Sequence, residues 1–165
     1  MSISASLLPE FDHEMATARK VLERVPDDKF DWAPHATSMK LGHLAGHIAE
    51  MPAWAAVGIT QDSLDLAGYK PAATTTTAQV LEAFDKNIAS ARAAIAGASD
   101  ETFFKTWSLQ RDGQTLMSMP KMVVVRSFML NHVIHHRGQL SVYLRILGVK
   151  IPSIYGPSGD EGSMG

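Results

Sequence analysis

Asn131-His132-Val133-Ile134-His135-His136-Arg137-Gly138-Gln139-Leu140 places three of the chain's seven histidines inside a long segment of helical periodicity. Between about Pro120 and Leu147 there is no internal proline, and Val125, Phe128, Met129, Leu140, Tyr143 and Leu147 recur at helical spacing. The segment is predicted to be one long helix. At about 100° per residue, His132 and His136 fall within about 40° of each other in the centre of the apolar stripe, with His135 at its margin. Two imidazoles therefore point inward.

A buried histidine has two ring nitrogens to satisfy, and a pair one turn apart in apolar surroundings does so poorly by hydrogen bonding alone. Metal coordination solves the problem, because neutral imidazole is a common ligand and an i,i+4 pair presents two nitrogens to one ion. Chance clustering of core or surface histidines is the competing reading, and position on the apolar stripe weighs against it.

The 165 residues suffice for one domain with a sizeable core, expected over 1–165 with an irregular tail at 151–165. A formal net charge of −2 without a lysine or arginine block argues against nucleic acid as the ligand. The absence of cysteine excludes disulfides, thiolate zinc sites and thiolate nucleophiles. No apolar run approaches the roughly 20 residues of a membrane span, and Met1-Ser2-Ile3-Ser4 lacks a basic leader pattern. A cytoplasmic protein without a membrane partner is expected.

A first helix is expected from about Leu7 to Arg24, capped by Ser6 and stopped by Pro26. Its Glu10-x-x-His13 resembles half a di-iron site, but no second copy exists, so it reads as a solvated face. A proline-interrupted crossover with Trp32, Pro34 and His35 should pack over the core. The second helix is expected from about Met39 to Ile59, capped by Thr37 or Ser38, with Pro52 kinking it or ending and restarting it. His47 lies about 40° from the centre of its Leu44, Ile48, Met51, Ala55 face and His43 about 80° away, so His47 is the inward histidine. A loop from about Thr60 to Thr76 leads to a third helix, Thr77 to Ala96, opened by the capping box Thr76-x-x-Gln79 and closed at Gly97. Asp112-Gly113, between Phe103-to-Leu109 and Gln114-to-Met117, signals a short β-hairpin before the last helix, which should cover 119 to 147. The fold class expected is all-α: a four-helix bundle with one hairpin between its third and fourth helices.

In such a bundle the third ligand comes from a facing helix, which gives His47, His132 and His136 around one ion. Three imidazoles leave a tetrahedral ion's fourth position to water or a substrate thiolate, the arrangement of catalytic sites. Leu41-Gly42-His43-Leu44-Ala45-Gly46-His47-Ile48-Ala49-Glu50 with Trp54, and Asn131-His132 through His136-Arg137-Gly138-Gln139-Leu140, resemble the DinB-like superfamily, also called the YfiT-like metal-dependent enzymes. The similarity extends to the Trp32/Pro34 crossover and Tyr155-Gly156-Pro157. It implies a four-helix bundle, often homodimeric, holding a divalent ion on one histidine of the second helix and two of the last. By motif these are His47, His132 and His136. It also implies chemistry like that of the bacillithiol S-transferases and mycothiol-dependent isomerases in the family. A low-molecular-weight thiol and a small-molecule substrate would then be partners, and zinc or nickel stands ahead of iron or manganese as the ion.

Other chemistries fail on single residues: a zincin needs Glu where Val133 stands, and neither a Gly-x-Ser-x-Gly elbow nor a phosphate-binding glycine loop is present. Four residues are read two ways. Glu50 is either a hydrogen-bond acceptor or acid/base group behind the ion, or a solvent-facing glutamate. Arg137 binds a substrate carboxylate or interface acid, or makes a surface ion pair. Gln139 bonds a ligand imidazole or is a polar boundary residue, and Trp54 walls a pocket or packs the core. Gly138 in mid-helix suggests close approach of a neighbouring helix. Two functions remain: a metal-dependent enzyme activating a thiol, and a non-catalytic metal-binding stress-response or interaction protein. An open coordination site beside a pocket separates them.

Overall fold

The computed structural model describes residues 1–71 and 73–162; one residue of the expected 60–76 loop and the last three of the tail lie outside them. The chain is mostly helical, with a small three-stranded sheet. Helix α1 spans Ile3–Leu22. It starts earlier than expected because Ser2, not Ser6, is the cap: the Ala5 N–H donates to Ser2 Oγ at 3.2 Å, while Ser6 Oγ donates to the Ile3 carbonyl. Pro26 does not end it, since the helical turns finish at Leu22.

Helix α2 spans Leu41–Thr60 and runs through Pro52 without ending there. Neither Thr37 nor Ser38 caps it. Its first donors are taken by the crossover backbone, Leu41 N–H to the Trp32 carbonyl at 2.8 Å and Gly42 N–H to the Phe30 carbonyl at 2.9 Å. The crossover itself makes a short 3₁₀ turn, Asp27–Lys29, and packs Trp32 edge-on against Tyr143 at 5.7 Å. A Cβ on Gly42 would sit 2.3 Å from the Phe30 ring, so glycine is what lets the crossover close on α2. At the far end, buried Lys121 donates to the carbonyls of Ile59 and Gln61 at 3.0 and 2.8 Å, satisfying the α2 C-terminus.

Helix α3 spans Thr77–Gly97, with the Gln79 N–H on Thr76 Oγ1 and Gln79 Oε1 reaching back to the Thr75 N–H. A short helix α4, Asp100–Phe104, capped by Ser99 through the Thr102 N–H, takes Phe103 and Phe104, which were expected in the first strand of the hairpin. Strand β1, Ser63–Asp65, lies inside the segment expected to be loop; β2 is Thr106–Arg111 and β3 is Gln114–Pro120. The order is β1-β2-β3, with β1 parallel to β2 and β2 antiparallel to β3, so the sheet has one strand more than the expected hairpin. Asp65 ties β1 to the turn between the others, accepting the Asp112 and Gly113 N–H groups at 3.1 and 2.8 Å. Asp112 and Gly113 both have positive φ, 50° and 74°, the conformation of a two-residue hairpin turn.

The last helix, α5, covers 121–146 and departs from the expected uniform α-helix. After one turn, Lys121–Val123, it widens into a π-helical segment, Val124–Leu130, and returns to α-helix over Asn131–Ile146. The Asn131 N–H donates to the Arg126 carbonyl, five residues back. Apolar side chains of α1, α2, α3 and α5 share one core that includes Phe11, Leu44, Ile48, Phe84, Val133 and Leu140. A second cluster of Trp107, Leu109 and Val124 joins the sheet to α5, with Trp54 and Phe128 packed on it.

Candidate metal centre

The two long helices α2 and α5 bring three histidines together. Each of His47, His132 and His136 offers one ring nitrogen, and these nitrogens all lie within 4.8 Å of one another. The rings stand 4.6 to 5.3 Å apart between centroids. His136 is buried and the other two are half-buried. His43 and His135, the neighbours that helical geometry set aside, are exposed. His35 bonds Thr37 and His13 stacks on Tyr155, both away from the cluster.

Hydrogen bonding decides which nitrogens face inward. Gln139 Oε1 accepts from His136 Nδ1 at 2.7 Å, and the Phe128 carbonyl accepts from His132. With their other nitrogens so committed, the neutral rings turn two Nε2 lone pairs toward each other at 2.9 Å. A proton on one of the two Nε2 atoms, or a cation between them, relieves that arrangement. Burial favours neutrality: it pushes the His47 pKa down to about 4, with the neighbouring His136, His132 and His43 adding to the effect. Burial likewise lowers His132 and His136, outweighing the Phe128 and Gln139 hydrogen bonds that act the other way. Neutral imidazoles are what a metal ion requires, and ligand nitrogens about 2.0–2.1 Å from a tetrahedral ion stand about 3.4 Å apart, within the range present here. The donor set can therefore hold one divalent ion, and among the described residues no acidic side chain joins it as a fourth ligand.

His47 also lines a cleft of about 680 Å³. Glu50, one turn further along α2, and Trp54, one turn beyond that, continue the same wall. Tyr69 closes over them, donating its hydroxyl to Glu50 Oε2 at 2.9 Å and meeting Trp54 edge-on at 6.1 Å. Burial and the Glu50 carboxylate push the Tyr69 phenol up to about 12, so it remains a donor at neutral pH. Trp54 also lies against Phe128, serving the cleft and the second cluster at once. Gly46 faces the loop, where a Cβ would come within 2.9 Å of Thr74 Oγ1. The loop from about Thr60 to Thr76 was expected from the sequence, but Tyr69 was given no role in the site. The available signal was the pair Gly42 and Gly46, one turn apart on α2, marking the side on which the side chains of the crossover and the loop close in.

Arg137 does not line the cleft. Its side chain is 2% exposed and pairs with Glu14, 8% exposed, at 2.7 Å. It also donates to the Glu14 carbonyl at 3.2 Å and to Tyr155 Oη at 2.7 Å, and Tyr155 in turn donates to the Glu14 carboxylate at 2.9 Å. Neither a substrate carboxylate nor a surface partner is its counter-ion; the pair locks α5 to α1 beneath the tail. Gly138 is likewise not a point of helix contact within the chain, for it is exposed and a Cβ there would meet nothing within 4 Å.

No helix among the described residues is long and apolar enough to cross a membrane. The chain is 25% identical over 166 residues to the uncharacterized protein YrdA of Bacillus subtilis (strain 168), covering 93% of this chain and 89% of that one. Its fold is similar to that of a DinB-like protein from Bacillus cereus ATCC 10987, with a TM-score of 0.71 at 19% identity, covering 93% of this chain and 98% of the other. A DinB-like protein of Bacillus subtilis gives 0.70 at 18% identity, covering 90% and 96%. The sequence matches the model of the DinB family over residues 1–163, nearly its whole length, and so the protein that these histidines and helices build belongs to the DinB family.

Proposed function

We propose that this chain, acting as one domain over 1–165, is a metal-dependent enzyme in which His47, His132 and His136 hold one divalent ion and the adjoining cleft receives a small-molecule substrate. The observation that carries this reading is the convergence of three neutral-favouring imidazoles, one of which, His47, lines a cleft of about 680 Å³. An ion bound there would supply a Lewis acid able to lower the pKa of a bound thiol, and S-transfer to an electrophile is the reaction class that the family likeness favours. Gln139 holds His136 in the tautomer that leaves Nε2 available. Trp54 and Phe30 provide apolar wall that displaces water. Glu50 and Tyr69, joined by a hydrogen bond in the same cleft wall, orient the part of the substrate that lies away from the ion.

Zinc or nickel, with iron or manganese behind them, suit three imidazoles. A homodimer in the cytoplasm completes the proposal, on family likeness. A non-catalytic metal-binding protein is the competing reading, which a fourth protein ligand or a filled cleft would favour. The cleft and the three-ligand set support the enzyme.

Metal analysis of protein purified without a nickel column tests the centre. One ion per chain is expected, lost in His47→Ala, His132→Ala and His136→Ala and kept in alanine variants of His13, His35, His43 and His135. Retention by all three ligand variants would refute the centre. Loss in His43→Ala with retention in His47→Ala would move the α2 ligand by one turn.

A further inference from the structure

The cleft has an electrical character that its ligand must match. Among the described residues its lining includes three carboxylates, Asp27, Asp31 and Glu50, against one lysine, Lys40, and no arginine. Lys40 is already held by Asp31 at 2.7 Å. Asp27 accepts the Thr77 N–H at the start of α3 at 2.7 Å, a bond that lowers its pKa and keeps it ionised. Glu50 faces the same space beside Trp54 and Tyr69, with Phe30 also in the lining. Aromatic faces attract cations through their quadrupole, and carboxylates do so through their charge. A carboxylate-bearing ligand would find no guanidinium to pair with and would meet like charge instead.

We propose that the cleft selects a substrate carrying an ammonium group a few bonds from its reacting atom, an aminothiol being the simplest, and disfavours carboxylate-bearing analogues of the same size. This deepens the metal-dependent reading above and rests on it for the reacting end alone. The reacting sulfur goes toward the three histidines, and the cationic end goes to the wall formed by Glu50, Trp54 and Tyr69. The selectivity is a property of this wall, so it persists for ligands that have no sulfur.

Calorimetric titration of the zinc-loaded full chain tests the inference with two sets of probes. Cysteamine, 2-mercaptoethanol and 3-mercaptopropionate are thiols of similar size with cationic, neutral and anionic tails; phenethylamine and 3-phenylpropionate repeat the contrast without sulfur. Cysteamine is expected to bind about tenfold more tightly than 3-mercaptopropionate, with the same order in the sulfur-free pair. Glu50→Gln should shrink the ratio about threefold or more, and Lys40→Gln, at an exposed side chain, should widen it. Equal or tighter binding of the anionic members, ratios unmoved in both variants, or binding of none of the five at millimolar concentration would overturn the inference. If phenethylamine outbinds 3-phenylpropionate while no thiol binds, the inference stands and the thiol reading falls. Thiols that bind without regard to tail charge give the reverse.

Discussion

Replacing Glu14 by alanine should be among the most damaging single changes in the protein. Its carboxylate is the counter-ion of Arg137, which is 2% exposed and has its other contacts to the Glu14 carbonyl and Tyr155. Without Glu14 the guanidinium remains buried with only neutral acceptors. Removing one partner of a buried pair costs about 3–5 kcal/mol, because the charge left behind keeps its desolvation penalty. For a domain of this size about 2–4 °C of melting temperature accompanies each kcal/mol, so a fall of about 6–20 °C is expected. Denaturant and thermal unfolding followed by circular dichroism would measure it. The paired change Glu14→Leu with Arg137→Met should recover most of the loss, since an apolar pair of similar volume carries no charge to desolvate. A loss below about 1 kcal/mol, the value of an exposed ion pair, would refute the reasoning. So would a double variant as unstable as the single one.

Gln139→Leu should leave the fold intact and weaken zinc binding about 10–100-fold, because His136 Nδ1 loses its acceptor; competition with a chromophoric chelator would read this, and unchanged affinity would count against the assignment. The metal-free protein should be most stable above about pH 6.5 and lose stability as the pH falls toward about 4, since the unfolded chain binds the proton that folded His47 resists. Metal affinity should hold below pH 6.5 as well and fall only as the pH approaches about 4, where folded His47 takes up a proton; melts and metal titrations from pH 4 to 8 check both, and a gain in stability on acidification would contradict the sign. Gly138→Ala should raise stability by about 1 kcal/mol in thermal melts, because the helix gains propensity and the new methyl meets nothing within the chain. A loss instead would show that another surface, such as a second copy, covers that position.

The histidine arrangement was readable because it depends on angle along a helix, which sequence spacing encodes directly. His47 over His43, and His132 with His136 over His135, follow from 100° per residue. Helix ends were less readable because side chains do not always supply the caps. At α2 the carbonyls of Phe30 and Trp32 take that role, a contact between segments that no local pattern announces. Strand β1 is three residues long and shows no alternation of burial, so nothing in Ser63-Leu64-Asp65 marks it before Ser108, Leu109 and Gln110 line up beside it. The Arg137 pair could have been found. Glu14 lies on the Phe11, Met15, Ala18 side of α1, and Arg137 on the Val133, Leu140, Leu144 side of α5; opposite charges on two apolar stripes are partners for one another. The π-helical segment also leaves a trace, since Val124-Val125 and Met129-Leu130 repeat after five residues rather than three or four.

That five-residue step works as a change of phase. Within it, Val124 and Phe128 face the sheet with Trp107 while Val125 and Met129 face the main core; after it, Val133, Leu140 and Leu144 face the main core, and His132 and His136 face α2. One uniform helix would fix the angle between these sets, whereas one extra residue in a turn offsets the two halves by about 100°. The number of residues between Val124 and His132 is therefore part of the site's specification, as much as the histidines themselves. Shortening that interval by one would keep every ligand in the sequence and turn two of them away from the third.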